Sequence, residues 1–294
     1  MVKNTFKFLS LALLIIIASC AKNMDEAFIP SYIKIDKIDV LTTGEQGSSA
    51  SYITDAWVYV DGADLGAFPL PAVIPILASG NHVVKIAPGI KLNGVGGTRV
   101  PYPMVEPVET NIELIKDTIQ TMVVSSNYYS SSIFSLIDDF ENANVNLEPT
   151  SLNTAEWRRS HTSTDPQGSV FEGHYSGIGI LNNNNTYFQI MTRKNFEDLP
   201  SNGAPAFIEM NFKTNTTIVL GIMSYLGNNG ESTDLIYLNP TKEWKKIYIN
   251  LTSSLVSLSN KDYFKFIISA NHTNGDEQTI VLIDNFKVIY REIE

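Results

Sequence analysis

Ala56-Trp57-Val58-Tyr59-Val60-Asp61-Gly62-Ala63-Asp64-Leu65-Gly66 is the stretch on which the fold turns. Apolar and β-branched residues run up to an Asp-Gly pair and the chain then returns, and such a pair adopts the positive φ angles that a two-residue hairpin turn demands. The same pattern recurs in Phe264-Lys265-Phe266-Ile267-Ile268 and Ile280-Val281-Leu282-Ile283-Asp284. Clusters of Gly, Asn, Pro and Ser separate such runs, and no apolar repeat of helical period is sustained. The chain is therefore predicted to be all-β with little helix. Its 294 residues leave room for one large or two ordinary domains.

Met1 to Cys20 departs from this pattern. Lys3 and Lys7 form a short basic head, Leu11 to Ala18 an unbroken apolar run, and Ser19 precedes Cys20, the only cysteine. The run falls short of the roughly 20 apolar residues that a spanning helix needs, and the arrangement is that of an export signal. Ile17-Ala18-Ser19-Cys20 resembles the lipobox of bacterial lipoproteins. The resemblance implies a signal peptide at 1–19, cleavage before Cys20, a covalent diacylglyceryl lipid on that thiol, and a lipidated tether at 20–29. A lone cysteine is otherwise often a buried small hydrophobe, but the end of an export signal is not a place for one. Two or three acyl chains anchor a protein stably where one binds only marginally. Ala21 rather than Asp follows Cys20, and Asp25-Glu26 is loosely similar to the surface-export signals of Bacteroidetes lipoproteins. These features imply a lipid-anchored outer-membrane protein, with a lean toward the cell surface.

With one cysteine, no disulfide can form within the chain, so the fold must rest on its core. Loss of Lys3 and Lys7 with the signal takes the net charge from -10 to -12. Such an acidic body is unsuited to phosphate backbones, which excludes nucleic acid as a partner.

The best boundary is the Ser- and Tyr-rich segment Ser125 to Ser132, read as a linker at 126–135. Before it, at 30–125, Val58-Tyr59-Val60-Asp61-Gly62, then Phe68-Pro69-Leu70-Pro71, then Gly80-Asn81-His82-Val83-Val84-Lys85-Ile86 resembles the PEGA-type surface domain. That likeness implies an Ig-like β-sandwich without chemistry of its own. After it, at 136–294, Asp139-Phe140-Glu141, Gly173-His174-Tyr175-Ser176-Gly177, Trp244-Lys245-Lys246-Ile247-Tyr248-Ile249 and Asp284-Asn285-Phe286 follow one another. This succession resembles the galactose-binding-like jelly roll of carbohydrate-binding modules.

In many such jelly rolls the first and last strands lie side by side and hold a structural calcium. The resemblance implies Asp139, Glu141 and Asp284 as its hard oxygen ligands, with carbonyls near His174 and Ser176. Equally, these acids would serve as a solvated strand edge and as acceptors for turn amides. Sugar rings stack on exposed aromatics, and Trp157, set among Glu156, Arg158 and Arg159, is the aromatic chosen as ligand-binding over Tyr187, Phe188 and Tyr225. Large aromatics otherwise fill sandwich cores, and Trp244 is expected to be a packing residue. Asp117-Thr118-Ile119 resembles the Bacteroidetes O-glycosylation acceptor, which implies modification at Thr118, unless that residue merely faces solvent.

No catalytic motif emerges. The four histidines are dispersed, and His82 is expected to be half buried on a strand. Ser176 stands fourth, not third, in its glycine-flanked pentad, which does not make a nucleophile elbow. Gly94-Val95-Gly96-Gly97 lacks the lysine of a phosphate loop. Paired glycosidase acids far apart in sequence remain open. The sequence is therefore read as a non-catalytic outer-membrane lipoprotein acting as an accessory or scaffold subunit for envelope proteins. The alternatives are a surface glycan-binding module in polysaccharide capture and, more weakly, a glycoside-active enzyme.

Overall fold

The computed structural model describes residues 29–272, 275 and 277–292. Cys20 and the signal segment lie outside the described residues. Among the described residues no helix is long and apolar enough to cross a membrane.

The fold is all-β. In the first module β1 (Ser31–Leu41), β2 (Asp55–Val60), β3 (Ala63–Pro69), β4 (Ala72–Ile76), β5 (Gly80–Lys91), β6 (Arg99–Pro101), β7 (Val108–Leu114) and β8 (Ile119–Asn127) form two facing sheets. One has the order β4-β1-β8, with β1 antiparallel to β4 and parallel to β8. The other has the order β3-β2-β5-β6, and β7 pairs with the other half of β5. Ile33, Ile35, Ile74 and Ile76 meet Val58, Val84 and Ile86 between them. Each such burial contributes about 1.5–3 kcal/mol. Asp61 and Gly62 make the hairpin turn at φ 50° and 81°. The Asp61 carboxylate accepts the Val83 N–H at 2.9 Å and lies 2.6 Å from His82 Nδ1, so His82 sits half buried on β5, as its alternation suggests.

The 126–135 segment holds the end of β8, a turn, and the start of β9 (Ser132–Asp138). Then come β10 (Leu147–Pro149), β11 (Glu156–His161), β12 (Tyr175–Leu181), β13 (Tyr187–Thr192), β14 (Ala206–Thr214), β15 (Ile218–Leu226), β16 (Asn229–Leu238), β17 (Lys245–Asn250), the short helix α1 (Thr252–Ser257), β18 (Tyr263–Asn271) and β19 (Thr279–Arg291). They form a sandwich of two sheets, β10-β13-β18-β15-β16 and β11-β12-β19-β14-β17, with β9 pairing along the end of β19. The core between them is rich in phenylalanine: Phe140, Phe188, Phe196, Phe266 and Phe286 are fully buried.

The long strand β19 explains how the modules meet. Val281 and Ile283 point into the sandwich, then Asn285 adopts φ 49° and the phase slips by one, so that Phe286, Val288 and Tyr290 point inward instead. A bulge of this kind re-aims every later side chain. Lys287 and Ile289 are thereby turned to the outer face, where the first module covers them. Ile289, Phe207 and Tyr248 pack there with Val40, Ile90, Tyr102, Met104, Val105 and Tyr128, a third core shared by the two modules.

Candidate functional site

The residues expected to hold calcium are not drawn into one cage. Asp139 accepts the Glu141 N–H at 3.1 Å, and Glu141 accepts the N–H groups of His174 and Tyr175 at 2.8 and 2.9 Å. Asp284 accepts the Ser176 hydroxyl at 2.6 Å and the Asn285 N–H at 2.7 Å. Among the described residues no group of three or more His, Cys, Asp or Glu side chains is gathered for a metal. The physical reason is that protein donors occupy these carboxylates. Glu141 and Asp284 tie the Gly173–Gly177 loop to the segment just after β9 and to β19, and a side chain on Gly177 would collide with Trp157 and Phe140. Burial pushes the Asp284 carboxyl up to about 7, against the pull of the Ser176, Asn285 and Glu172 hydrogen bonds.

Trp157 is half buried. It packs edge-on to Phe140 at 6.1 Å and tilted on Phe188 at 5.7 Å, and its Nε1 donates to the Leu147 carbonyl at 3.3 Å. It thus closes the side of the sandwich between the edge strands β10 and β11. What remains of it lines a cleft with Arg158, Arg159, Arg193, Asn144 and Asn146. Trp244 lies against Phe171 at 5.5 Å and donates from Nε1 to the Gly168 carbonyl at 3.0 Å, outside the hydrophobic cores. Thr118 lies in the turn between β7 and β8, half buried, its hydroxyl donating to the Lys116 carbonyl at 3.2 Å.

A second cleft, of about 460 Å³, was not anticipated from the sequence. It lies where the edge strands β16 and β17, one from each sheet of the second module, meet the 92–94 turn of the first. Asn93 and Gly94 take φ 54° and 68° to make that turn. The Asn93 Oδ1 accepts the Asn250 N–H at 2.8 Å, capping the free edge of β17. Tyr52 is held by its own N–H, which donates to the Tyr248 hydroxyl at 2.8 Å, and this leaves its ring 51% exposed. Tyr237, on the same cleft, is 62% exposed and its hydroxyl donates to Asp234. Asn239, Thr241, Lys91, Lys245 and Lys246 complete the polar lining.

Behind the cleft lies a buried polar cluster. The hydroxyls of Tyr102 and Tyr128 donate to Glu209 Oε1 at 2.6 and 2.7 Å. Lys246 Nζ stands 3.1 Å from Glu209 Oε2, a Coulombic contact rather than a directed hydrogen bond. Burial alone would raise the Glu209 carboxyl, but the charges of Lys246 and Lys287 and the two tyrosine hydrogen bonds outweigh it and hold it low. Burial lowers Lys287 to about 8, and its Nζ donates to the Ser48 carbonyl at 2.7 Å.

A third cleft runs over Ile178, Ile180, Ile280 and Leu282. The single carboxylate lining these three clefts is Asp165, ion-paired with Arg158 at 2.6 Å.

No family model and no curated protein matches the chain. Among solved structures it is similar to the N-terminal CBM22-1–GH10 modules of endo-1,4-beta-D-xylanase 10B from Clostridium thermocellum, with 12% identity, a TM-score of 0.39, and coverage of 54% of this chain and 28% of that one. It is also similar to the family 11 carbohydrate-binding module from Clostridium thermocellum, crystallised with a beta-1,3-1,4-mixed-linked tetrasaccharide. There the identity is 17%, the TM-score 0.36, and the coverage 51% of this chain and 92% of that one. An exo-beta-agarase matches at 14% identity and a TM-score of 0.36, over 56% of this chain. The chain spans little more than a quarter of the xylanase and of the agarase, 28% and 26%.

Proposed function

We propose that this chain is a non-catalytic, lipid-anchored glycan-binding protein whose saccharide site is the cleft between its two modules. The observation that carries this reading is the pair Tyr52 and Tyr237, both more than half exposed on the wall of a cleft that sets the amide, hydroxyl and ammonium groups of Asn93, Asn239, Thr241 and Lys245 beside apolar side chains such as Val95, Ile236 and Pro240. Large exposed rings beside convergent hydrogen-bonding groups suit a pyranose, whose C–H face stacks on an aromatic while its hydroxyls bond sideways. The volume is within the few hundred cubic ångströms usual for ligand sites.

The test is titration of the wild type with a panel of bacterial and plant oligosaccharides, followed by Tyr52→Ala and Tyr237→Ala. Each substitution is expected to weaken the best ligand by about tenfold, or ~1.4 kcal/mol. Affinity that survives both changes would remove the cleft from the account. Anchoring rests on the lipobox alone. Labelled fatty acid is expected in the wild type and absent from Cys20→Ala, which should leave the membrane fraction; an unlabelled wild type would refute the anchor.

A further inference from the structure

The charge of the junction cleft runs against that of the molecule. The chain carries 31 acidic and 21 basic side chains, yet the cleft is lined by three lysines and no carboxylate. The three differ in what they face. Lys246 is turned inward, with its side chain 3% exposed and set against Glu209 at 3.1 Å. Lys91 and Lys245 make no ion pair among the described residues, and both line the cleft. Of the acids beside the site, Glu209 is buried behind it, and the Asp234 carboxylate is engaged by the Tyr237 hydroxyl and does not itself line the cleft. Two ammonium groups without an ion pair therefore line the same cleft as two exposed tyrosines, on a molecule of net negative charge.

We propose that this cleft selects a saccharide that itself carries negative charge, with Lys91 and Lys245 as its ion partners and Tyr52 and Tyr237 as its stacking faces. The inference rests on the glycan-binding reading and narrows it. A lysine ammonium is a compact point charge without the fixed fork of arginine, so it meets a ring carboxylate or a sulfate ester equally well. Against the −10 background, a local positive cleft gathers field lines and so favours the charged ligand in affinity and in rate of approach. A neutral sugar would gain only hydrogen bonds from the two lysines, without the charge attraction.

Three oligosaccharides of matched length serve as probes: a galacturonate oligomer, the neutral galactose oligomer, and a sulfated galactose oligomer, each titrated into the full-length protein at low and high salt. The expected result is binding of a charged oligomer about tenfold tighter than the neutral one, the modest gain that two exposed ion pairs supply. That advantage should shrink as salt rises. It should fall to nothing in the double variant Lys91→Gln, Lys245→Gln and persist in Lys91→Arg, Lys245→Arg. Preference for the uronate over the sulfated oligomer, or the reverse, names the source of the charge within the same proposal. Equal affinity for neutral and charged oligomers, or a glutamine double variant that binds the charged one as the wild type does, would overturn the charge selection and leave the saccharide site standing. No binding of any oligomer at millimolar concentration would overturn both.

Discussion

Glu209→Ala is expected to cost about 3–5 kcal/mol of stability, because it strands a buried ammonium and two buried hydroxyls at once. The carboxylate is fully buried, accepts from Tyr102 and Tyr128, and stands beside Lys246. Without it, Lys246 and Lys287 face each other across the shared core with no opposite charge between them. A loss of this size is a large part of the 5–15 kcal/mol typical of a folded protein, and at roughly 2–4 °C per kcal/mol it lowers the melting temperature by about 10 °C. Glu209→Gln keeps an acceptor for the tyrosines but not the charge, and should fall between wild type and alanine. The carboxyl is held below its usual range in the fold, so its contribution is present above the unfolded value and is lost as pH falls through the folded one. Denaturant melts at pH 7 decide the matter: a loss under about 1 kcal/mol for the alanine variant would show that the cluster does not hold the modules together.

This cluster also shows where sequence reading stops. Ala206-Phe207-Ile208-Glu209-Met210-Asn211-Phe212 alternates as a half-exposed strand should, and alternation alone assigns Glu209 and Asn211 to solvent. They are buried because the first module lies over that face, a fact carried by Tyr102 and Tyr128 about a hundred residues earlier. The phase slip at Asn285 is hidden for the same reason: a strand buried on both faces reads as a continuous apolar run, and Lys287 inside it looks like an edge. The Asp61-Gly62 hairpin was legible because its geometry is set by two adjacent residues. The pairing of the first and last strands of the second module followed from the landmarks Asp139-Phe140-Glu141 and Asp284-Asn285-Phe286, and Asp138 indeed stands opposite Phe286. Their carboxylates are readable as important but not as satisfied, since the donors to Glu141 and one of those to Asp284 come from the Gly173–Gly177 loop. The junction cleft had no local signal. Tyr52, Lys91, Tyr237 and Lys245 come from four separate segments, and only the docking of the 92–94 turn against β17 makes them neighbours.

Asp284 yields the second large effect, with a sign opposite to that of Glu209. Its side chain has no exposed surface, and burial raises the carboxyl from 3.8 to about 7 despite the Ser176 and Asn285 donors. A folded value above the unfolded one means that the fold prefers the protonated group. The contribution is fully present below about 3.8 and is lost as pH rises through about 7. At 1.36 kcal/mol per unit, that window corresponds to an upper bound on the order of 4 kcal/mol. The neighbouring Lys287, lowered to about 8, lies close to the upper end of this range, so the carboxyl is read from the difference between wild type and the Asp284→Asn variant at each pH. Asp284→Asn cannot ionise and still offers an oxygen to the Ser176 hydroxyl. Relative to wild type it should therefore gain stability as pH rises from 4 to 7.5, by about 2–4 kcal/mol at the upper end, on this same linkage. Parallel urea melts of the two proteins at several pH values measure that difference directly. A gap that stays constant across the window would mean that Asp284 is ionised throughout, its Ser176, Asn285 and Glu172 donors outweighing burial.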